Sequence, residues 1–190
     1  MPRRYDPDRR QRIIDAAIRV IGARGIAGLG HRAVAAEADV PLGSTTYHFA
    51  TLDDLLVAAL RQINTAWLAE VGRWARRPAP RAALAEDVTD LIEQSLAGDR
   101  AQVEMEYEIY LAALRRTAVR PIAAECLDEL ARLLTLRTGD AQTARTLVAL
   151  IDGLLIQYLL TGRPFDRAEV HAAVSGVCGP AHHGQAPDAH

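Results

Sequence analysis

Lysine is missing altogether. All 22 basic side chains of this 190-residue chain are arginine, which reads as a genomic composition bias rather than a binding device. Cysteine is scarce too: Cys126 and Cys178 stand far apart, without metal-ligand spacing. His171, His182, His183 and His190 add no regular spacing to Cys178, so neither a metal site nor a cofactor is expected. A reducing cytoplasm is the expected compartment. Aromatic residues make up only 5% and β-branched runs are short, which disfavours sheet. The longest apolar run, Leu147 to Leu160, is broken by Asp152, Gly153 and Gln157, so it reads as a buried helix, too short and too polar for a bilayer. The charged N-terminus holds no apolar segment of the kind that directs secretion. There is no nucleophile–base pair, usefully spaced acid pair or metal motif, and the sequence argues against an enzyme.

What is present is alanine, leucine and charge, in a pattern that predicts an all-α fold. About half the residues are apolar (49%) and a quarter charged (24%), an ordinary globular balance. The net charge of −2 hides an asymmetry. Residues 1–50 carry eight arginines against five acids, a local balance of +3, and the remainder carries a balance of −5. A basic end on an acidic body fits a nucleic-acid-reading unit.

Helical periodicity divides the chain. Asp8 and Gln11 have capping-box spacing ahead of Ile13, Ile14, Ala17, Ile18 and Ile21, and Gly25 closes this first helix. Short helices are predicted at His31–Ala38 and Leu42–His48, separated by Asp39-Val40-Pro41. Thr51 and Asp54 cap a long fourth helix, whose stripe runs through Leu55, Leu56, Leu60, Ile63, Trp67, Val71 and Trp74 to Arg76-Arg77-Pro78. Further helices are predicted at Arg81–Leu96, Arg100–Arg116, Val119–Arg137, Gln142–Thr161 and Arg167–Val177. Residues 180–190 are a Gly/Pro/His tail expected to be mobile.

Two short helices joined by a three- or four-residue turn make a helix-turn-helix. Ala35 and Ala38 are small enough for a close crossing, Val40 plugs the corner, and Pro41 suits a first helical turn. Gly43 and Ser44 keep the third helix slim enough for a major groove.

On these residues the segment Arg12–Leu56 resembles the TetR family. The matching positions are Arg12-Ile13-Ile14-Asp15-Ala16-Ala17, Gly25, Val34-Ala35, Ala38, Val40, Gly43, Tyr47-His48-Phe49 and Leu55-Leu56. Gly43 to Phe49, followed by a capped helix with acids at Asp53 and Asp54, is the specific part. The departures are Gly30 where the family often has threonine, Asp39 in place of the turn glycine, Thr45-Thr46 for a Leu-Tyr pair, and Leu52 for a lysine. The resemblance implies a DNA-binding domain at 1–50 and a ligand-binding and dimerisation domain at 51–179. It also implies a homodimer formed through the two late helices, on a palindromic double-stranded operator. The expected function is a transcriptional repressor released by a small-molecule effector. The alternatives are an activator, a ligand-independent regulator, or a helical small-molecule-binding protein or enzyme.

The expected DNA contacts fall into groups. Tyr47 and His48 donate to phosphates, with His31, Arg32, Gly43 and Thr46 around them. Leu42, Ser44 and Thr45 face base edges. Arg3 and Arg4 form a basic arm that is either simply solvated or follows the DNA backbone and minor groove. The expected effector pocket takes Trp67, Trp74, Tyr107 and Tyr110 as aromatic wall, with Glu104 or Asp152 as its acid. Asp152 alternatively bonds across the dimer. Of Glu104, Glu106 and Glu108, at least one is expected to point inward, because their helix is apolar on two faces. Leu155 and Leu159 are expected on the dimer face.

Overall fold

The computed structural model describes residues 7–98 and 100–179. The arm with Arg3 and Arg4, and the tail with His182, His183 and His190, lie outside the described residues. Among the described residues the regular structure is entirely helical.

Helix α1 (Arg9–Arg24) buries Ile13, Ile14, Ala17, Val20 and Ile21 on one face. The expected capping box at its start does not form. Asp8 has helical dihedrals and makes no side-chain cap bond, and the Gln11 amide donates instead to Asp15 at 2.9 Å and to Gln62 at 2.5 Å. Helices α2 (His31–Glu37) and α3 (Leu42–His48) cross at the predicted corner. Asp39 turns the chain with φ +52°, a left-handed conformation that Asp adopts more readily than most residues.

Three residues separate the end of α3 from helix α4 (Leu52–Ala75). Its capping box is complete: the Asp54 N–H donates to Thr51 Oγ1 at 3.0 Å, and the Thr51 N–H donates to Asp54 Oδ2 at 2.9 Å. Then follow α5 (Leu84–Ala97), α6 (Arg100–Ala112), α7 (Arg120–Thr138), α8 (Ala141–Thr161) and α9 (Arg167–Cys178). Helix α6 ends four residues before the predicted Arg116. There the chain tightens into consecutive i→i+3 turns, from the Ala113 N–H to the Arg116 N–H. The Arg120 guanidinium holds the Leu114 carbonyl at 2.9 Å, and Arg116 pairs with Asp53 at the start of α4.

Two hydrophobic clusters form the interior. One joins α1, α2 and Phe49, just past α3, to the first turns of α4 and to Met105, Ile109, Ile122 and Ala123 of α6 and α7. The other joins the far half of α4 to α5, α7, α8 and α9. Arg167 fastens α9 to α5 by pairing with Glu86, Asp90 and Glu93. By length and composition α8 is apolar enough to cross a membrane, with a mean hydropathy of 1.4 over its best window, yet it packs as the buried helix that its core segment predicts. Its Leu147, Val148, Ile151, Leu154, Leu155 and Tyr158 are buried in the second cluster. It is a core helix by packing.

Candidate functional site

The first candidate surface is the outer face of α3. A seven-residue helix that docks one side on a core must leave the other side open. Thr45 and Phe49, four apart, are buried, while Leu42, Gly43, Thr46 and Tyr47 are exposed. Tyr47 is 84% exposed and Leu42 43%. The Tyr47 and His48 rings meet edge to face, 5.2 Å between centroids. Ser44 and His48 are half-buried at the margins, with Arg32 exposed on α2. His31 opens α2 half-buried, its Nδ1 atom enclosed and without a hydrogen-bond partner.

Thr45 requires correction. It is fully buried, and its hydroxyl donates to the Leu42 carbonyl at 2.8 Å, so it packs the domain and does not reach a base. The outward threonine is Thr46. Phe49, four residues on, is the sequence signal for this phase, since both must point to the core.

The second candidate site is a cavity of about 130 Å³ where the two hydrophobic clusters meet, walled by α4, α5, α6, α7 and α8. Trp67, Tyr107, Tyr110 and Asp152 line it. Trp74 and Glu104 do not. Trp74 is covered by the Arg137 guanidinium, 4.6 Å from its ring, and Glu104 pairs with Arg100 on the surface at 2.7 Å. The inward acid of α6 is Glu106. Leu155 also lines the cavity and is not available to a dimer face.

The chemistry of this space is one-sided. Among the described residues its lining holds two carboxyls, Glu106 and Asp152, and no arginine or histidine. The Tyr107 hydroxyl donates to Asp152 Oδ1 at 3.0 Å, and the Gln102 amide donates to Glu106 at 3.0 Å. Burial nevertheless holds both carboxyls above the usual acid range, outweighing these bonds. Burial, then the neighbouring Asp152 charge, also pushes up the Tyr107 and Tyr110 hydroxyls. The Cys126 thiol is driven up to about 11 by burial, and then by Asp152 and Glu106. Every titratable group here resists negative charge.

Besides the packing of Met105 and Ile109 on α1, a hydrogen bond links the cavity helix to the DNA-binding unit. Glu108, on α6, accepts the Ile26 N–H at 2.8 Å, just beyond α1. No local spacing in the sequence points to a partner 82 residues away.

Among the described residues no group of His, Cys, Asp and Glu side chains is arranged to hold a metal. His171 lies instead beside Ser175 and Glu86, at 3.5 Å from each.

Residues 13–59 match the family model of bacterial regulatory proteins of the tetR family, and residues 79–180 match the tetracyclin repressor-like C-terminal domain. The multidrug binding protein EbrR, solved with ethidium, is 56% identical over 89% of this chain and 98% of its own, with a TM-score of 0.80. A TetR-family member from Streptomyces coelicolor A3 is 55% identical over 90% of this chain and 98% of its own, with a TM-score of 0.77. Among curated relatives, the HTH-type nicotine-responsive transcriptional repressor HdnoR of Paenarthrobacter nicotinovorans is 28% identical over 80% of this chain and 84% of its own. With a helix-turn-helix presenting α3 outward and both family regions matched, the chain belongs to the TetR family of DNA-binding transcriptional regulators, which are not enzymes.

Proposed function

We propose that this regulator is a repressor that binds a two-fold operator as a homodimer and leaves it when a flat aromatic molecule fills the α4–α8 cavity. The observation that carries the reading is the size and place of that cavity. Ligand pockets usually enclose about 300–1,000 Å³, whereas this one holds about 130 Å³. A drug-sized molecule therefore enters only by parting the helices around it. One of those helices, α4, follows directly on the DNA-reading helix. Operator half-sites sit about 34–36 Å apart, so tilting α4 in each protomer spoils the match. EbrR has been solved with ethidium, with proflavin and with malachite green, which supports an aromatic occupant.

On DNA, Leu42, Ser44 and Thr46 face bases, and Tyr47, His48, Gly43, Arg32 and His31 hold phosphates. The dimer forms through the outer side of α8, where Ala149, Ile156 and Leu160 lie beside Gly153, a position with open space above it. Leu136 of α7, 54% exposed, extends the same kind of surface. The protein works where its operator is, in the bacterial cytoplasm.

The test begins with selection of bound fragments from a genomic pool, followed by anisotropy on the selected site across salt concentrations. Sequence-selective binding that weakens steeply with salt is expected, because bound arginines displace counterions. Tyr47→Ala and His48→Ala are expected to weaken all sequences alike. Proflavin is then expected to lower operator affinity. Absence of any preference over random DNA refutes the operator reading, and tight dye binding without loss of operator affinity refutes the release mechanism.

A further inference from the structure

We infer that the cavity selects cations through Glu106 and Asp152, and that a cation enters in exchange for protons these two carboxyls carry while the cavity is empty. The inference rests on the proposed effector site and adds the charge of its occupant, the residues that choose it, and a proton stoichiometry.

The argument begins with the lining. Glu106 comes from α6 and Asp152 from α8, and both carboxyls face the same apolar space. Leu60, Ile63, Val71, Leu91 and Ile92, from α4 and α5, make up much of the opposite wall. Neither α4 nor α5 contributes a titratable side chain to it, and α7 contributes only Cys126. The remaining titratable groups are Tyr107 and Tyr110 of α6. Among the described residues no positively charged side chain lines the cavity. A carboxylate without a cation partner in such surroundings gives up its charge by taking a proton. The hydrogen bonds to the two acids are too few to reverse this: one from the Tyr107 hydroxyl and one from the Gln102 amide. The upward displacement of both acids agrees with the geometry.

A cation inside the cavity inverts the balance. It supplies the missing partner, favours both carboxylates, and meets the faces of Trp67, Tyr107 and Tyr110, which attract positive charge. Each carboxyl that was protonated when the cavity was empty and is ionised when it is filled releases one proton to solvent. The atoms balance: a protonated protein and a cation give a complex and up to two protons. A neutral aromatic of the same shape fills the space without releasing any. By linkage, cation affinity rises with pH while the empty-cavity carboxyls are protonated. The rise is about tenfold per pH unit for each proton released, and affinity is flat once they are ionised.

The experiment is calorimetry on the full chain without DNA, in buffers of equal pH and different ionisation enthalpy. Ethidium serves as the fixed cation, and its des-ethyl, uncharged phenanthridine counterpart as the neutral shape control. Ethidium is expected to release protons and the control none. Asp152→Asn keeps the size of the side chain and an acceptor for Tyr107. It is expected to cut the proton count and weaken ethidium about tenfold or more, the equivalent of one pKa unit, with the control unaffected. Glu106→Gln is expected to do the same, so an unfolded variant at one site leaves the other to decide. A Trp74→Phe background makes Trp67 the only tryptophan, and its quenching places the ligand in the cavity. Equal affinity for both ligands with no proton release overturns the inference and leaves the effector site standing. Failure of both ligands to quench Trp67 overturns the site and the inference together.

Discussion

Gly25→Ala tests the joint between the cavity helix and the DNA-binding unit. Gly25 has φ +67° and ψ 176°, a region that only glycine enters freely, and a side chain there costs about 1–3 kcal/mol. Space adds to the strain. A Cβ at this position would sit 3.0 Å from Glu108 Oε1 and 3.2 Å from Oε2. The carboxylate would have to give by a few tenths of an ångström, which strains the 2.8 Å bond from the Ile26 N–H and at most costs it. Charged hydrogen bonds contribute about 1.5–3 kcal/mol, and the exposure of Glu108 brings this one to about 1 kcal/mol. The expected loss is about 1–4 kcal/mol, with backbone strain the larger part. Urea unfolding followed by circular dichroism measures it, at one protein concentration because a dimer's stability depends on concentration. In a Glu108→Ala background the same substitution is expected to cost less, by at most about 1 kcal/mol, since nothing remains to be displaced. A Gly25→Ala protein within about 0.5 kcal/mol of its parent refutes the argument. An identical cost in both backgrounds shows that strain acts alone and leaves the Glu108 bond intact.

Other expectations are shorter to state. Thr45→Ala lowers stability by about 1–2 kcal/mol, through a lost methyl and hydrogen bond, and leaves base preference unchanged. Thr46→Ala alters preference at one base pair by about 1–3 kcal/mol; competition binding against a library of single-base operator variants separates the two. Arg137 is 5% exposed, pairs with Asp87 at 2.6 Å and stacks on Trp74. Arg137→Ala is expected to cost about 2–3 kcal/mol in urea unfolding, less than for a sealed pair because Asp87 is one-third exposed. Asp152→Asn is expected to stabilise the empty protein at neutral pH. The raised carboxyl makes the parent lose stability as pH climbs above the ordinary aspartate value of about 3.9. Thermal melts of both proteins from acid to neutral pH should therefore coincide at the acid end and separate upward, and parallel curves contradict the burial argument.

Which features were legible in the sequence follows from how local they are. The α4 cap was, because Thr51 and Asp54 satisfy each other within one turn. The helix-turn-helix was too, from small residues, a turn and a proline close together in the chain. The phase of α3 was available in the Thr45–Phe49 spacing but was outweighed by the polar character of threonine. Trp74 illustrates a different failure. Seven residues keep it on the same side of α4 as Trp67 but carry it about 10 Å along the axis, past the end of the cavity to where Arg137 covers it. Choosing among Glu104, Glu106 and Glu108 required knowing what lies on each side of α6. That helix is apolar on two faces because it touches both hydrophobic clusters. The Glu108–Ile26 bond and the Arg167 cluster join distant segments, and no local pattern announces such pairs.

The two faces of α6 also explain how the cavity and the DNA-reading unit share one fate. Val103, Glu106, Tyr107 and Tyr110 line the cavity, whereas Met105 and Ile109 sit in the cluster built on α1, and Glu108 reaches Ile26. At about 100° per residue these sets lie roughly half a turn apart. A ligand that displaces the tyrosines therefore drives the opposite face toward α1. Little slack exists there: a Cβ built on Gly22 of α1 would lie 3.4 Å from Met105 Sδ, already van der Waals contact. Close-packed interiors pass such a displacement on instead of absorbing it. The DNA-binding unit must then move with α6 or lose the Glu108 bond. Ligand binding controls the operator only to the extent that it prefers the displaced arrangement. A hundredfold preference, about 2.7 kcal/mol, lies within the usual range of coupling between sites. That exceeds what the single exposed Glu108 bond resists, so the packed Met105–Ile109 face must carry most of the coupling.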